Sequence, residues 1–307
     1  MKAFVEEVGN VLGIPRRDLI EKDVILHRLL RILSEDDFFS TNFLFKGGTC
    51  LTKSYLGYYR FSEDVDFTWA DQKVFEGLTQ KGIRRELSKR IDDVGSILER
   101  TGKGVHFVNE KSDRKYVEIG GSDKTVTYKL WYDSEILKHE AFVKVQINFV
   151  DRVMFPPEKG KLKSLISGAS YDELERLFPE EYREYHDEIS LPVYDIREIL
   201  AEKVRSILTR RGVKARDFVD VYLIGKTFGT DVHEVRSAIV EKTAFILNLY
   251  QKYRENFDDK MNLLESESLF EWGGERELLL QEIDEREFYG FVEEFTDFLK
   301  GIPGEMR

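Results

Sequence analysis

Residues 43–49 read Phe-Leu-Phe-Lys-Gly-Gly-Thr, and residues 60–67 read Arg-Phe-Ser-Glu-Asp-Val-Asp-Phe. The first stretch is a short apolar run stopped by two glycines, the pattern of a buried strand entering a tight turn. The segment between the two stretches, LTKSYLGYY at 51–59, has apolar spacing compatible with a helix. Gly47 and Gly48 let the backbone approach a ligand closely, and N–H groups at the start of a following helix favour phosphate. An ordinary turn would use the same pair. The spacing is neither that of a Walker A loop nor G-x-G-x-x-G.

In the second stretch, DVDF reads as a strand. Asp64 and Asp66 then share one face, and Val65 and Phe67 the other. Two neighbouring carboxylates repel unless something positive lies between them. Hard carboxylate oxygens suit Mg²⁺ or Mn²⁺, although a solvated acidic strand end would look the same. Together the stretches say more than either alone. A glycine turn followed within one helix by a D-x-D strand assembles a phosphate cradle and metal ligands. Such a set could activate an attacking hydroxyl and stabilise a leaving pyrophosphate.

Outward from this centre the periodicities alternate between helix and strand. Residues 4–33 carry apolar positions at helical spacing, with Pro15 able to start the second of two helices. Residues 72–101 hold a stripe suited to a long amphipathic helix. Three β-like runs follow, VHFVNE at 105–110, KTVTYKLWYD at 124–133 and FVKVQINFV at 142–150, before MFPPEKG at 154–160 breaks the pattern. From Asp195 the period is helical over 195–211, 216–228, 231–257 and 276–300. The expected fold class is α+β: a mixed sheet flanked by helices over residues 1–190, then a helical C-terminal domain over 191–307.

The 307 residues carry a formal net charge of −11, with 41% hydrophobic and 34% charged residues. Residues 255–307 hold sixteen acids against five bases, so the whole of that charge sits at one end and the remainder sums to zero. A polyanionic substrate bound elsewhere is therefore compatible with an acidic chain. The single cysteine, Cys50, excludes a disulfide framework and a multi-thiolate metal site, and reads as a small buried packing residue. No run approaches a membrane span, and Glu6 and Glu7 interrupt any leader-like apolar start, which makes a cytoplasmic protein with no membrane role the expectation. Histidines 27, 106, 139, 186 and 233 are scattered without metal spacing; the clustered Tyr55, Tyr58, Tyr59 and Phe61 read mostly as core, although one could stack on a base, and Trp69, Trp131 and Trp272 read as core in the same way. The acidic helices at the end read as a solvated face whose apolar stripe, including Phe288, Phe295 and Leu299, docks on the C-terminal domain.

A third candidate is the helix REILAEKVRSILTRR and the GVKARDFVDVY that follows it. Residues 196–217 hold seven bases and three acids. Lys203 follows apolar Leu200 by three positions, so it lies near a buried edge, where a cation could neutralise phosphate charge in a transition state. A basic solvated helix is the plainer reading. Asp217 and Asp220 could cap or salt-bridge the following helix.

Four blocks, LIEKDVILHRLL, LFKGGTCLTKSY, RFSEDVDF and REILAEKVRSILTRRGVKARDFVDVY, closely resemble the AbiEii nucleotidyltransferase toxin family, in the family's order. The resemblance implies a nucleotidyltransferase-fold enzyme that moves a nucleoside monophosphate from an NTP to an acceptor, in toxin–antitoxin or antiviral defence systems. It implies Gly47, Gly48 and Thr49 as phosphate-binding residues, with Lys46 matching in a less defined role and Ser62 beside the triphosphate. Asp64 and Asp66 would hold Mg²⁺ or Mn²⁺. Lys203 would contact the nucleotide phosphates, and Asp217 would be a distant acidic member of the site. RNA, foremost the 3′ end of tRNA, is the implied acceptor, and a cognate antitoxin the implied partner.

One departure from the family pattern stands out. Nucleotidyltransferase-fold enzymes commonly draw a third carboxylate from a neighbouring strand. On FVKVQINFVDRV the expected face carries Lys144, Gln146 and Asn148. Gln146 can coordinate through its carbonyl but cannot act as a general base, which leaves Asp151 or Asp217 for that part. Two other readings use the same features: phosphotransfer to a protein or small-molecule hydroxyl, and an NTP-sensing or partner-binding module whose chemistry has decayed.

Overall fold

The computed structural model describes residues 1–102, 104–120, 124–266 and 269–305; Glu267 and Arg307 of the acidic end lie outside them. The chain divides into two compact units, Met1–Asp151 with Pro157–Val193, and Arg152–Pro156 with Tyr194–Arg307. The boundary expected at 190 falls inside a strand, because the last strand of the first unit runs to Val193.

The first unit is built on β1 (Phe43–Lys46), β2 (Asp64–Trp69), β3 (Val117–Gly120), β4 (Thr125–Asp133), β5 (Glu140–Asn148), β6 (Glu158–Leu162) and β7 (Ile189–Val193). They form one mixed sheet in the order β3-β4-β5-β2-β1-β7-β6. β2 runs parallel to β5 and β1 parallel to β7, while the other neighbours are antiparallel. Its helices are α1 (Lys2–Leu12), α2 (Arg17–Glu35), α3 (Asp37–Asn42), α4 (Gly47–Cys50), α5 (Gln80–Glu99), α6 (Asp172–Leu177) and α7 (Pro179–His186), with π-helical turns at Leu51–Leu56 continuing α4.

Strict alternation decides which face of the sheet is core. Val126, Tyr128 and Leu130 of β4, Val143, Val145 and Ile147 of β5, and Val65 and Phe67 of β2 are all buried. The register places Val65 beside Val145 and Val145 beside Tyr128, so these side chains share one face. Each buried aliphatic or aromatic side chain contributes about 1.5–3 kcal/mol. The other face carries half-buried Asp64, Asp66, Lys144, Gln146, Lys129 and Trp131. Trp131 thus departs from its expected core position.

The acidic residues of the LIEKDVILHRLL block are buried and structural. Glu21 accepts from the Ser134 hydroxyl and, at 2.8 Å, from the Glu135 N–H. Asp23 pairs with Lys53 at 3.0 Å and accepts the hydroxyls of Tyr58 (2.8 Å) and Tyr185 (2.6 Å). A buried carboxylate persists only when its lone pairs are satisfied in this way. These bonds tie α2 to the π-helical turns, to the loop after β4 and to α7.

Three strand expectations change. VHFVNE forms only an isolated bridge between His106 and Trp131. β3 instead uses Val117–Gly120, and β6 begins within the proline-broken segment, directly after Pro156 and Pro157. In β6 the alternation Lys159, Gly160, Lys161, Leu162 puts lysines outward and Leu162 into the core, the pattern of an edge strand.

The second unit contains α8 (Ile196–Thr209), α9 (Ala215–Phe228), α10 (Arg236–Leu249), α11 (Gln251–Ser266) and α12 (Glu285–Gly301). The helical stretch expected over 231–257 is two helices separated at Tyr250, whose backbone is extended. No proline or glycine marks the break. Beyond the break, Asn256 ties α11 to the end of α8 by donating to the Thr209 carbonyl at 2.9 Å. α12 buries Phe288, Phe295 and Leu299, and Phe295 meets Phe218 of α9 edge-on at 5.5 Å.

Arg152–Pro156 belongs to this unit because of a buried ion pair. Glu198 of α8 is paired with Lys242 of α10, and it accepts the N–H groups of Met154 (2.7 Å) and Phe155 (2.8 Å). Lys242 also donates to the Arg152 carbonyl at 2.6 Å. Among the described residues no helix is long and apolar enough to cross a membrane.

Candidate active site

β1 is buried along its whole length and ends at Lys46, where the backbone turns into α4. Gly47 sits at φ +78°, the left-handed region that glycine adopts without steric cost. A Cβ there would lie 2.4 Å from Asp66 Oδ2, so the turn and the second carboxylate of the D-x-D strand are packed against one another. At Gly48 a Cβ would lie 2.6 Å from Arg60 Nη2 and 3.3 Å from Ser62 Oγ. One glycine therefore faces an anion and the next a cation.

Thr49 locks this turn to the start of β2. Its hydroxyl contacts both the Asp64 carbonyl and Ser62 Oγ, the latter at 2.7 Å. A carbonyl can only accept, so Thr49 donates to Asp64 and Ser62 donates to Thr49. Thr49 and Ser62 are thus joined to one another and to the metal-candidate strand. Arg60 is buried, donates to the Phe61 carbonyl at 2.9 Å and lies 5.4 Å from the Tyr59 ring centroid.

Asp64 and Asp66 lie on one face of β2, as their spacing requires. Across the parallel pair, Asp64 stands beside Lys144, Asp66 beside Gln146 and Thr68 beside Asn148. Lys144 Nζ is 3.9 Å from Asp64 Oδ1. On the β1 side the register partner of Asp66 is Lys46, whose ammonium reaches Asp151 at 2.9 Å in a nearly buried pair. The Asp151 N–H in turn donates to Gln72 Oε1 at 2.9 Å. Lys46, Gly47, Gly48, Thr49, Ser62, Asp64 and Asp66 are therefore brought together within the first unit, with Asp151 held by Lys46.

Lys203 and Asp217 lie in the second unit and are joined to each other there. Lys203 Nζ is 2.9 Å from Asp217 Oδ1 and 2.5 Å from Asp220 Oδ2, and Arg210 Nη1 is 2.7 Å from Asp217 Oδ2. Burial works to raise the Asp217 carboxyl, but Lys203 and Arg210 outweigh it and hold the group below the usual carboxylate range. Asp220 thus bridges back to the preceding helix.

Among the described residues no group of three or more His, Cys, Asp or Glu side chains is arranged to hold a metal ion. The histidines make structural contacts: His27 Nε2 lies 3.2 Å from the Asp187 carbonyl, and His106 bonds Tyr116 at 2.9 Å. Cys50 is fully buried and its thiol is pushed far above its ordinary value by desolvation.

The sequence pattern alone carries no role for Arg60 or Lys144. Arg60 opens the RFSEDVDF block, two and four positions before Ser62 and Asp64, and that spacing was the available signal. The two-residue period of the strand puts Lys144 on the face of Gln146, but its approach to Asp64 depends on parallel pairing across 80 residues of chain.

No curated protein matches the chain. Among solved structures it is similar to JHP933 from Helicobacter pylori, with 15% identity and a TM-score of 0.46 over 94% of both chains. A second Helicobacter pylori structure, provisionally described as a nucleotidyltransferase, matches at 14% identity and a TM-score of 0.45, over 94% of this chain and 98% of that one. The family model for the nucleotidyl transferase AbiEii toxin of type IV toxin–antitoxin systems matches residues 28–300. That span holds the glycine turn, the D-x-D strand and the Lys203 helix, and the chain belongs to the AbiEii nucleotidyltransferase toxin family.

Proposed function

We propose that this protein transfers a nucleoside monophosphate from an NTP to an acceptor hydroxyl in a reaction that depends on Mg²⁺ or Mn²⁺, with the 3′ end of RNA, foremost tRNA, as acceptor. The observation that carries the reading is the packing of Gly47 against Asp66. It sets the glycine turn directly beside a carboxylate pair on a half-exposed sheet face.

The donor set fits a hard divalent cation. Asp64 and Asp66 offer two carboxylates, and Gln146 adds an amide oxygen in register with Asp66. Mg²⁺ is commonly held by one or two carboxylates, several waters and substrate phosphates, so a protein cage of three acids is not required. Bound there, the cation would supply Lewis-acid polarisation of the phosphate and a lowered pKa for the attacking hydroxyl.

The chain's own residues supply the rest. Gly47 and Gly48 allow the phosphates to approach the backbone, and N–H groups at the start of α4 orient them. Arg60, packed against Gly48, places positive charge beneath that turn. The bonded series Ser62, Thr49 and the Asp64 carbonyl fixes the strand relative to the turn, so that the carboxylates need little reorganisation. Lys203 and Asp217 are retained as residues whose loss reduces transfer, on the strength of the family resemblance.

Incubation with Mg²⁺, total RNA and each NTP labelled at the α-phosphate should move label to RNA, and Asp64→Ala with Asp66→Ala should abolish it. Label moving only from the γ-phosphate would establish phosphotransfer instead. A second reading, nucleotide binding without turnover, draws on Gln146 standing where an acid is common. It predicts NTP binding with no transfer to any acceptor. Action in the cytoplasm under restraint by a cognate antitoxin completes the proposal.

A further inference from the structure

On the same half-exposed face as Asp64 and Asp66, β4 and β5 carry an aromatic pair. Trp131 and Phe142 are register partners, their ring centroids 4.7 Å apart and tilted by 55°. Phe142 lies two residues from Lys144, the register partner of Asp64, which is about 7 Å along the strand. A cavity of about 330 Å³ is lined by Asp64, Lys144, Phe142 and Trp131, with Lys22 and Glu63. That volume lies at the lower end of the range for small-ligand sites.

Three ammonium groups flank the rings. Lys115 Nζ lies 4.9 Å from the Trp131 ring centroid, and Lys129 and Lys144 lie 5.9 and 5.8 Å from that of Phe142. Each is matched by a carboxylate: Lys115 by Glu140 (3.3 Å), Lys129 by Glu118, and Lys144 by Asp64 (3.9 Å). The patch is close to neutral, so a simple anion gains little there. Half-buried aromatic surface beside a carboxylate pair is the feature that selects a ligand.

We infer that Trp131 and Phe142 form a stacking subsite for a nucleobase presented to the Asp64–Asp66 centre. The inference rests on the nucleotidyltransferase reading for its substrate class. Every base has a π face, and stacking on an aromatic side chain tolerates sequence. The base can come from the NTP itself or from the terminal nucleotide of the acceptor RNA.

Titration distinguishes these sources without relying on turnover. The full chain, its Trp131→Ala, Trp131→Tyr and Phe142→Leu variants and Asp64→Asn are each titrated with every NTP in the presence of Mg²⁺. The same proteins are titrated with a short single-stranded RNA bearing a free 3′ hydroxyl, and with that RNA made abasic at its last nucleotide. Trp131→Ala should weaken one ligand by about 5- to 150-fold, and Trp131→Tyr should recover most of the loss. Loss confined to NTP assigns the subsite to the incoming nucleotide. Loss confined to RNA, with abasic RNA equally weak on the unaltered chain, assigns it to the acceptor. Unchanged affinity for both ligands in Trp131→Ala and Phe142→Leu, at an unchanged thermal midpoint, overturns the inference. Binding that depends on Trp131 but is followed by no α-label transfer leaves the subsite standing and removes the proposed reaction.

Discussion

Gln146 stands beside Asp66 in the parallel register of β5 and β2, so an amide occupies the position from which a third carboxylate would reach the proposed cation. An amide oxygen can accept or coordinate but cannot take a proton. Gln146→Leu should lower the rate of label transfer about tenfold, the equivalent of ~1.4 kcal/mol, while Gln146→Glu should restore it. Initial rates at saturating NTP measure this. Full activity in Gln146→Leu would remove the residue from the site.

Gly47 meets two demands at once, positive φ and contact with Asp66. Gly47→Ala should cost about 1–3 kcal/mol from backbone strain alone and should also displace the Asp66 carboxylate. For a domain of this size the midpoint of thermal unfolding falls by about 2–4 °C per kcal/mol. Gly48→Ala meets the far end of the Arg60 side chain instead and should cost less stability. Equal thermal midpoints for the two variants would contradict this account.

Lys203 lies between two buried carboxylates. Lys203→Met leaves Asp217 and Asp220 without that cation, and breaking a buried pair in this way costs about 3–5 kcal/mol. Lys203→Met with Asp220→Asn should recover part of the stability. If transfer stays low in the stable double variant, the lysine acts on the substrate as well as on the fold. The lowered Asp217 carboxyl adds a pH signature. Its stabilisation is complete above the unfolded value near 3.8 and is lost as pH falls through the lower folded value. Acid unfolding of the unaltered chain should show that arm, and Asp217→Asn should lack it.

His27 predicts a second arm nearer neutrality. Burial, with help from Lys53 and Arg31, holds its imidazole well below the ordinary 6.5, so the folded protein keeps it neutral. Below pH 6.5 the unfolded chain binds the proton and the folded chain does not, so stability falls as pH drops from there. Denaturant midpoints should decline on going from pH 7.5 to 5.5, and His27→Phe should flatten that decline.

The parts of the site legible in the sequence were those set by local periodicity. Alternation alone placed Asp64 with Asp66, and Lys144 with Gln146, on shared faces, because a strand repeats every two residues. Glycines after a buried run marked the turn. What stayed hidden depends on partners far along the chain. Lys46 meets Asp151 across 105 residues, and Asp23 meets Tyr185 across 162. The break at Tyr250 has no local cause, and Trp131 could be read as core because its composition class says nothing about which sheet face it takes. The basic count over 196–217 suggested cations available to phosphate, whereas Lys203 and Arg210 are bonded to carboxylates within their own unit.

The segment Arg152–Pro156 makes neither unit a continuous stretch of chain. The strand carrying the glycine turn pairs with β7, which the ribosome delivers only at Val193, and the Met154 and Phe155 N–H groups wait for Glu198 and its partner Lys242. A nascent chain therefore cannot complete the sheet that carries the candidate site early. For a toxin, the cell that makes it holds only incomplete material until most of the message has been read, and a truncated product is left without the pairings that shape the site.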